Sequence, residues 1–253
     1  MTEELASTFR RSVQQGEERL SRTWPALLAT GAVGGIDVGI GVIGLLLVEE
    51  ATGSPLLAGL AFGIGFIALT LASSELFTEN FLVPVVAVAA GRATPRALIR
   101  LWVGTAFTNL IGGWVIMAVA MAGVPKLQET AVKLARHYAE VGLNAESFAA
   151  SILGGVVITL MTWMQRGSDS VPAKLLAAVA AAFLLAAGTL FHAIVVSLVM
   201  FAGLQVGAPF GYVDWLGVLG WAAVGNLVGG LGLVTVLRLL QVGRDQLNEE
   251  TPG

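Results

Sequence analysis

Leu184-Leu185-Ala186-Ala187-Gly188-Thr189-Leu190-Phe191-His192-Ala193-Ile194-Val195-Val196-Ser197-Leu198-Val199-Met200-Phe201 sets one histidine inside an apolar run long enough to cross a bilayer. A titratable group at that depth is costly and marks a functional site by default. The plainer alternative is a histidine donating one hydrogen bond to a neighbouring backbone carbonyl. A second stretch tips the balance. Ser74-Glu75-Leu76-Phe77-Thr78-Glu79-Asn80 also places Leu-Phe beside polar residues in the middle of an apolar segment. Two polar interruptions, one in each half of the chain, read as one site built twice.

Composition sets the class. Of 253 residues, 56% are hydrophobic and only 12% charged, against about 25% charged in soluble domains. No soluble domain of this size hides so much apolar surface, whereas membrane helices packed closely through many of the 32 glycines account for it. The net charge of −3 and the lack of a basic patch with interleaved aromatics exclude a nucleic-acid partner. There are no cysteines, so thiolate metal sites and disulfides are excluded. No metal set or cofactor motif is found at recognisable spacing, and no nucleophile–base pair points to an enzyme. Met1 to Thr23 is polar and charged, unlike a cleavable signal peptide. It predicts a short amphipathic helix on the membrane surface or packed against the protein.

Six apolar segments reach spanning length, at about 20 residues each. They run near Pro25–Val48, Leu56–Ala90, Leu98–Ala122, Phe148–Met164, Ala173–Gly203 and Trp215–Leu240. The second and fifth are too long for one straight crossing, and both hold a polar interruption. A helix broken inside the membrane, its irregular backbone lining a cavity, explains both facts. All basic residues except Lys126, Lys133 and Arg136 fall in loops or ends on one side, including Arg10, Arg19, Arg96, Arg238 and Arg244. The positive-inside rule then makes both termini cytoplasmic.

Three ordered matches relate the halves at nearly constant separation. Gly34-Gly35 matches Gly154-Gly155, Leu76-Phe77 matches Leu190-Phe191, and Asn109-Leu110-Ile111-Gly112-Gly113 matches Asn226-Leu227-Val228-Gly229-Gly230. Each half has three spans, an odd number, so the halves must be inverted. The expected fold is an all-α membrane protein with six transmembrane helices, two of them broken, as an inverted 3+3 repeat. Its parts are a cytoplasmic amphipathic segment (1–24), a first three-helix repeat (25–122), an extracytoplasmic linker (123–147), a second repeat (148–240) and a cytoplasmic tail (241–253). The linker's mixed charges suggest a short external helix pair or cap.

Leu76-Phe77-Thr78, Phe191-His192 following Gly188, the two Asn-Leu-x-Gly-Gly runs and Trp163-Met164 together resemble the formate/nitrite transporter family. That resemblance implies an aquaporin-like protomer in a homopentamer, set in a bacterial or archaeal inner membrane and conducting small monovalent anions. It implies that His192 is the central lumen histidine and Thr78 the break threonine. Leu76 and Phe77 resemble one side of an apolar constriction, Phe62 and Phe66 the other, and Leu185 a further gate residue. Asn109 and Asn226 look like residues tying broken-helix backbone to neighbouring helices. Typical members place Gly-Phe-Glu before the histidine and an asparagine shortly after it. Here Thr189-Leu190-Phe191 precedes His192 and Val196 takes the asparagine position, which suggests a divergent branch.

Bare anions cross apolar constrictions poorly, because burying charge is expensive. A weak acid crosses as its neutral form if it receives a proton, and histidine, with a reference pKa of about 6.5, suits that task. Three acids stand outside the family pattern. Glu75 and Glu79 either cap backbone N–H groups, pair with Arg92, Arg96 or Arg100 of a neighbouring protomer, or face the lumen and favour other solutes. Asp37, among glycines in the first span, is either protonated or accepts hydrogen bonds from a partner, and the lumen and the seam between protomers are the candidate places for a functional role. The expected function is a channel or proton-linked transporter for formate, nitrite or similar anions. The rivals are a pore for a neutral or cationic solute and a non-conducting membrane scaffold.

Overall fold

Proline and small polar caps decide where the helices begin. In the computed structural model, which describes residues 3–243, Pro25, Pro55, Pro95 and Pro172 each sit in the first turn of a helix. Their missing N–H is one that a helix start leaves unpaired in any case. Ser54, Thr94 and Ser170 cap three of these starts, and Asn144 caps a fourth helix by accepting from the amides of Glu146 and Ser147. The resulting order is α1 (Glu3–Ser21), α2 (Trp24–Thr52), α3 (Pro55–Ala72), a tight turn (Phe77–Phe81), α4 (Val83–Ala89) and α5 (Pro95–Gly123). Then come a short turn (Pro125–Leu127), α6 (Gln128–Val141), α7 (Ala145–Arg166), α8 (Val171–Ala187), α9 (Ala193–Gln205), α10 (Tyr212–Leu227), a wide π-type segment (Val228–Thr235) and α11 (Val236–Val242). No strand occurs among the described residues. Arg244 and nearly all of the expected tail, with Met1 and Thr2 at the other end, lie outside the described residues.

Five stretches are long and apolar enough to cross a membrane: Trp24–Thr52, Pro55–Ala72, Pro95–Gly123, Ala145–Arg166 and Tyr212–Val242. Val171–Ala187 and Ala193–Gln205 are shorter pieces of the fifth apolar segment, divided at His192. The second segment divides likewise into α3, the tight turn and α4. Both divisions pass through a non-glycine residue in the left-handed region, Ser73 (φ 56°) and Thr189 (φ 47°). Such residues carry a steric cost of about 1–2 kcal/mol, tolerated where surrounding contacts fix the chain.

Large apolar side chains point outward along the spanning helices, among them Leu60, Val103, Phe107, Leu176 and Leu237. The buried interior holds Phe62, Phe66, Leu76, Leu185, Phe191 and the whole of α9 from Ala193 to Gly203. Helix α1 packs on the protein. Its Phe9 and Val13 meet Val83, Val86 and Trp163, and Gly16 lies so close to the Val83 carbonyl that a Cβ would collide with it.

The linker, expected to hold a short helix pair or a cap, contains one short turn and one helix, α6. Helix α6 leans on α9 through Ala131 and Ala135, because Gly203 leaves room for them. Within the sixth segment, Val228–Thr235 widens into π-type turns. There the backbone of Gly229 lies against the Ile152 carbonyl and Gly230 against Phe81 and Thr159. Side chains at either position would force these elements apart, and the wider turn keeps the ladder bonded around them.

Candidate functional site

A helix interrupted inside a membrane exposes backbone groups that no water can satisfy. In this protein each interruption is satisfied by one asparagine. Asn109 Nδ2 donates to Gly31 O (2.7 Å) and Glu75 O (2.8 Å), and its Oδ1 accepts from the Phe77 amide (2.8 Å). Asn226 repeats the pattern: Nδ2 donates to Ser151 O (2.6 Å) and Phe191 O (2.8 Å), and Oδ1 accepts from the Ala193 amide (2.9 Å). The paired glycines let these parts meet. Gly34 lies against Glu75 O and Gly35 against Asn109 O, while Gly154 lies against Phe191 O and Gly155 against Asn226 O.

The two interruptions touch through their side chains. Thr78 Oγ1 is 2.6 Å from His192 Nε2, and both residues are fully buried. His192 also caps α9, its Nδ1 accepting from the Val195 amide at 3.2 Å. An accepting Nδ1 places the single proton of a neutral imidazole on Nε2. Nε2–H then donates to Thr78 Oγ1, and the threonine keeps its own hydroxyl proton free to donate.

Two cavities reach residues of the two breaks without reaching this pair. One, of about 240 Å³ beside α1, is lined by Arg19, Arg22, Thr70, Glu75, Glu79 and Arg166 among others. The second, of about 100 Å³ beside α6, is lined by Leu45, Glu49, Ala58, His137, Tyr138 and Thr189 among others. Helix α3 runs between them. Ala58 faces one cavity, Leu69 and Thr70 the other, and Phe62 and Phe66 fill the turns between, fully buried with ring centroids 5.2 Å apart. At 1.5 Å per residue that stretch is about 16 Å of apolar helix. Leu76 and Leu185 belong to the same buried cluster. Phe77 packs on its edge, its ring turned edge-on to Phe81 at 4.9 Å. On the far side Phe191 meets Tyr138 at 5.1 Å. Burial pushes the Tyr138 phenol up to about 12, so it stays neutral.

The three acids separate. Glu75 is buried and paired with Arg19 (3.0 Å) and with Arg22. Glu79 accepts from the Leu76 amide at 3.2 Å and so helps hold the first break. Asp37 lines neither of these cavities. It is half-buried in the middle of α2, where the Ser74 hydroxyl donates to its Oδ2 at 2.5 Å. Sequence reasoning missed Arg19 and Arg22 as partners of the break. In the sequence both read only as basic charges that orient the chain. Arg19 Nη1 additionally donates to Asn80 Oδ1 at 2.8 Å.

Residues 6–240 match the family model described as "Formate/nitrite transporter". The chain belongs to that family. Membership makes it a membrane channel or transporter and not an enzyme. Relatives include the inner membrane protein YfdC of Escherichia coli K12, 27% identical over 93% of this chain and 78% of that protein. The formate channel BtFdhC of Bacillus thuringiensis is 24% identical over 88% and 89% of the two chains. Among solved structures, one titled "FNT family ion channel" superposes with a TM-score of 0.83 at 19% identity, covering 90% of this chain and 96% of its own. A "pentameric formate channel with formate bound" gives 0.71 at 20% identity, over 87% and 98%. Both likenesses concern the fold.

Proposed function

We propose that this family member carries small monovalent anions of weak acids, formate, nitrite or similar, together with a proton and past His192. The observation that carries the reading is the Thr78–His192 contact, which joins the two interruptions between two cavities closed off by apolar rings. An anion entering that zone loses its hydration, and no dry apolar passage returns that energy. A free threonine hydroxyl donates to a carboxylate or nitrite oxygen, and a proton delivered along the same route converts the ion to its neutral acid. Arg19, Arg22 and Arg166 around the α1-side cavity attract anions, and the first two also neutralise Glu75.

The matching asparagine triads and glycine pairs support six spans arranged as an inverted repeat, residues 25–122 and 148–240, joined by 123–147. Residues 1–24 and 241–253 are then both cytoplasmic. The pentameric fold neighbour supports a homopentamer, and Asp37, half-exposed at mid-membrane depth, is best accommodated where another protomer covers it. The runner-up is a pore for cations or neutral solutes, favoured by Glu75 and Glu79 on the α1-side cavity.

Flux into proteoliposomes tests the reading, with formate, nitrite, hydrosulfide and a monovalent cation compared from about pH 5 to 8. Wild type should show anion flux rising with acidity, and His192→Ala should abolish that rise. Cation flux, or anion flux indifferent to His192→Ala, would favour the runner-up.

A further inference from the structure

Where α2 and α5 begin side by side, an open cleft of about 590 Å³ lies on the outside of the bundle and shares no lining residue with either cavity of the proposed pathway. Arg96 and Arg100 stand on its rim, one helical turn apart, and Trp24, Ile99 and Val103 form its wall. Arg96 is exposed, and among the described residues neither arginine pairs with a carboxylate, whereas Arg11, Arg19, Arg22, Arg92 and Arg136 all do. Arg100 is held in place: its Nη2 donates to the carbonyls of Leu20 and Arg22, and its guanidinium lies 5.7 Å from the Trp24 ring centre. Trp24 is 52% exposed, and Ile99 and Val103 are 59% and 64% exposed, successively deeper along α5.

We infer that this cleft binds an anionic phospholipid, its phosphate between Arg96 and Arg100 and an acyl chain along Trp24, Ile99 and Val103. From the start of α5 inward, Arg96 comes first, Arg100 and Trp24 lie together one turn on, and Val103 ends the wall, so the cations lead and the aliphatic surface follows, as in a bilayer leaflet. The unpaired charge supplies the complementarity and fixes the sign of the headgroup. A soluble anion would use the arginines and leave the exposed apolar wall uncovered. The cleft does not depend on what passes through the protein, so the lipid site stands or falls apart from the proposed substrate.

Native mass spectrometry of the full chain in detergent, titrated with phosphatidylglycerol or phosphatidylcholine, tests the site. Wild type should retain phosphatidylglycerol in preference to phosphatidylcholine. Arg96→Gln should weaken that preference about five-fold, the effect of one cation near an anionic surface. Arg96→Lys, which keeps the charge, should preserve it and shows that the position tolerates change. Arg92→Gln, whose parent residue is already paired with Glu17, should leave it intact. Equal retention of the two lipids by wild type, or an unaltered preference in Arg96→Gln, would overturn the assignment. So would displacement of the lipid by millimolar glycerol 3-phosphate, which has the charge but no acyl chain. Dissociation of the oligomer in Arg96→Gln without any lipid effect would make the cleft a contact between copies of this chain instead.

Discussion

Both ring nitrogens of His192 are engaged, Nδ1 by the Val195 amide and Nε2 by Thr78. The proton left free to donate at this contact is therefore the Thr78 hydroxyl's, and the imidazole fixes its direction. Thr78→Val keeps the shape and removes the hydroxyl, and formate flux should fall about ten-fold, the worth of one hydrogen bond to a charged group. Thr78→Ser should retain most of the flux in the same proteoliposome assay. Equal loss in both variants would mean that packing at this position matters and the hydroxyl does not. His192 and Thr78 were legible because polar residues stand out inside apolar runs. The partners of Glu75 were not. The sequence suggested Arg92, Arg96 or Arg100 of another protomer, yet Arg19 and Arg22 reach it within the chain. Nothing local marks that pairing, since Arg22 and Glu75 lie 53 residues apart and meet only because α1 folds against the break.

At the level of elements, each interrupted helix depends on a residue of a different span. Asn109→Ala or Asn226→Ala would strand two carbonyls and one amide in a dry interior. At about 1–3 kcal/mol for each buried group left unpaired, partly relieved by relaxation, a loss of about 3 kcal/mol is expected. The unfolding midpoint in detergent, followed by size-exclusion fluorescence, should fall by roughly 10 °C. A fall of only a degree or two would show that the breaks hold themselves. The breaks and their asparagines were readable from segment length and from the repeated Asn-Leu-x-Gly-Gly runs. The left-handed residues Ser73 and Thr189 were hidden because neither is a glycine. The π-type turns were hidden too, since widening a helix by one residue per turn leaves no mark in apolar periodicity.

Across the whole molecule, large apolar side chains face outward along the spanning helices. The chain has no cysteine, so single cysteines introduced at Glu18 and at Lys126 report sidedness without background. In right-side-out vesicles an impermeant maleimide should label the Lys126 position and spare the Glu18 position until the membrane is opened. Labelling of both from outside would refute the proposed orientation. The asparagine ties also bear on how such a chain is made. Asn109 follows Phe77 by 32 residues, and Asn226 follows Ala193 by 33. While the ribosome is still producing the intervening loop, the interrupted helix has bare amides and carbonyls and no partner for them. It is therefore a poor substrate for release into lipid on its own. Each broken span stays unsatisfied until its asparagine-bearing neighbour has emerged, which ties the membrane entry of the two together.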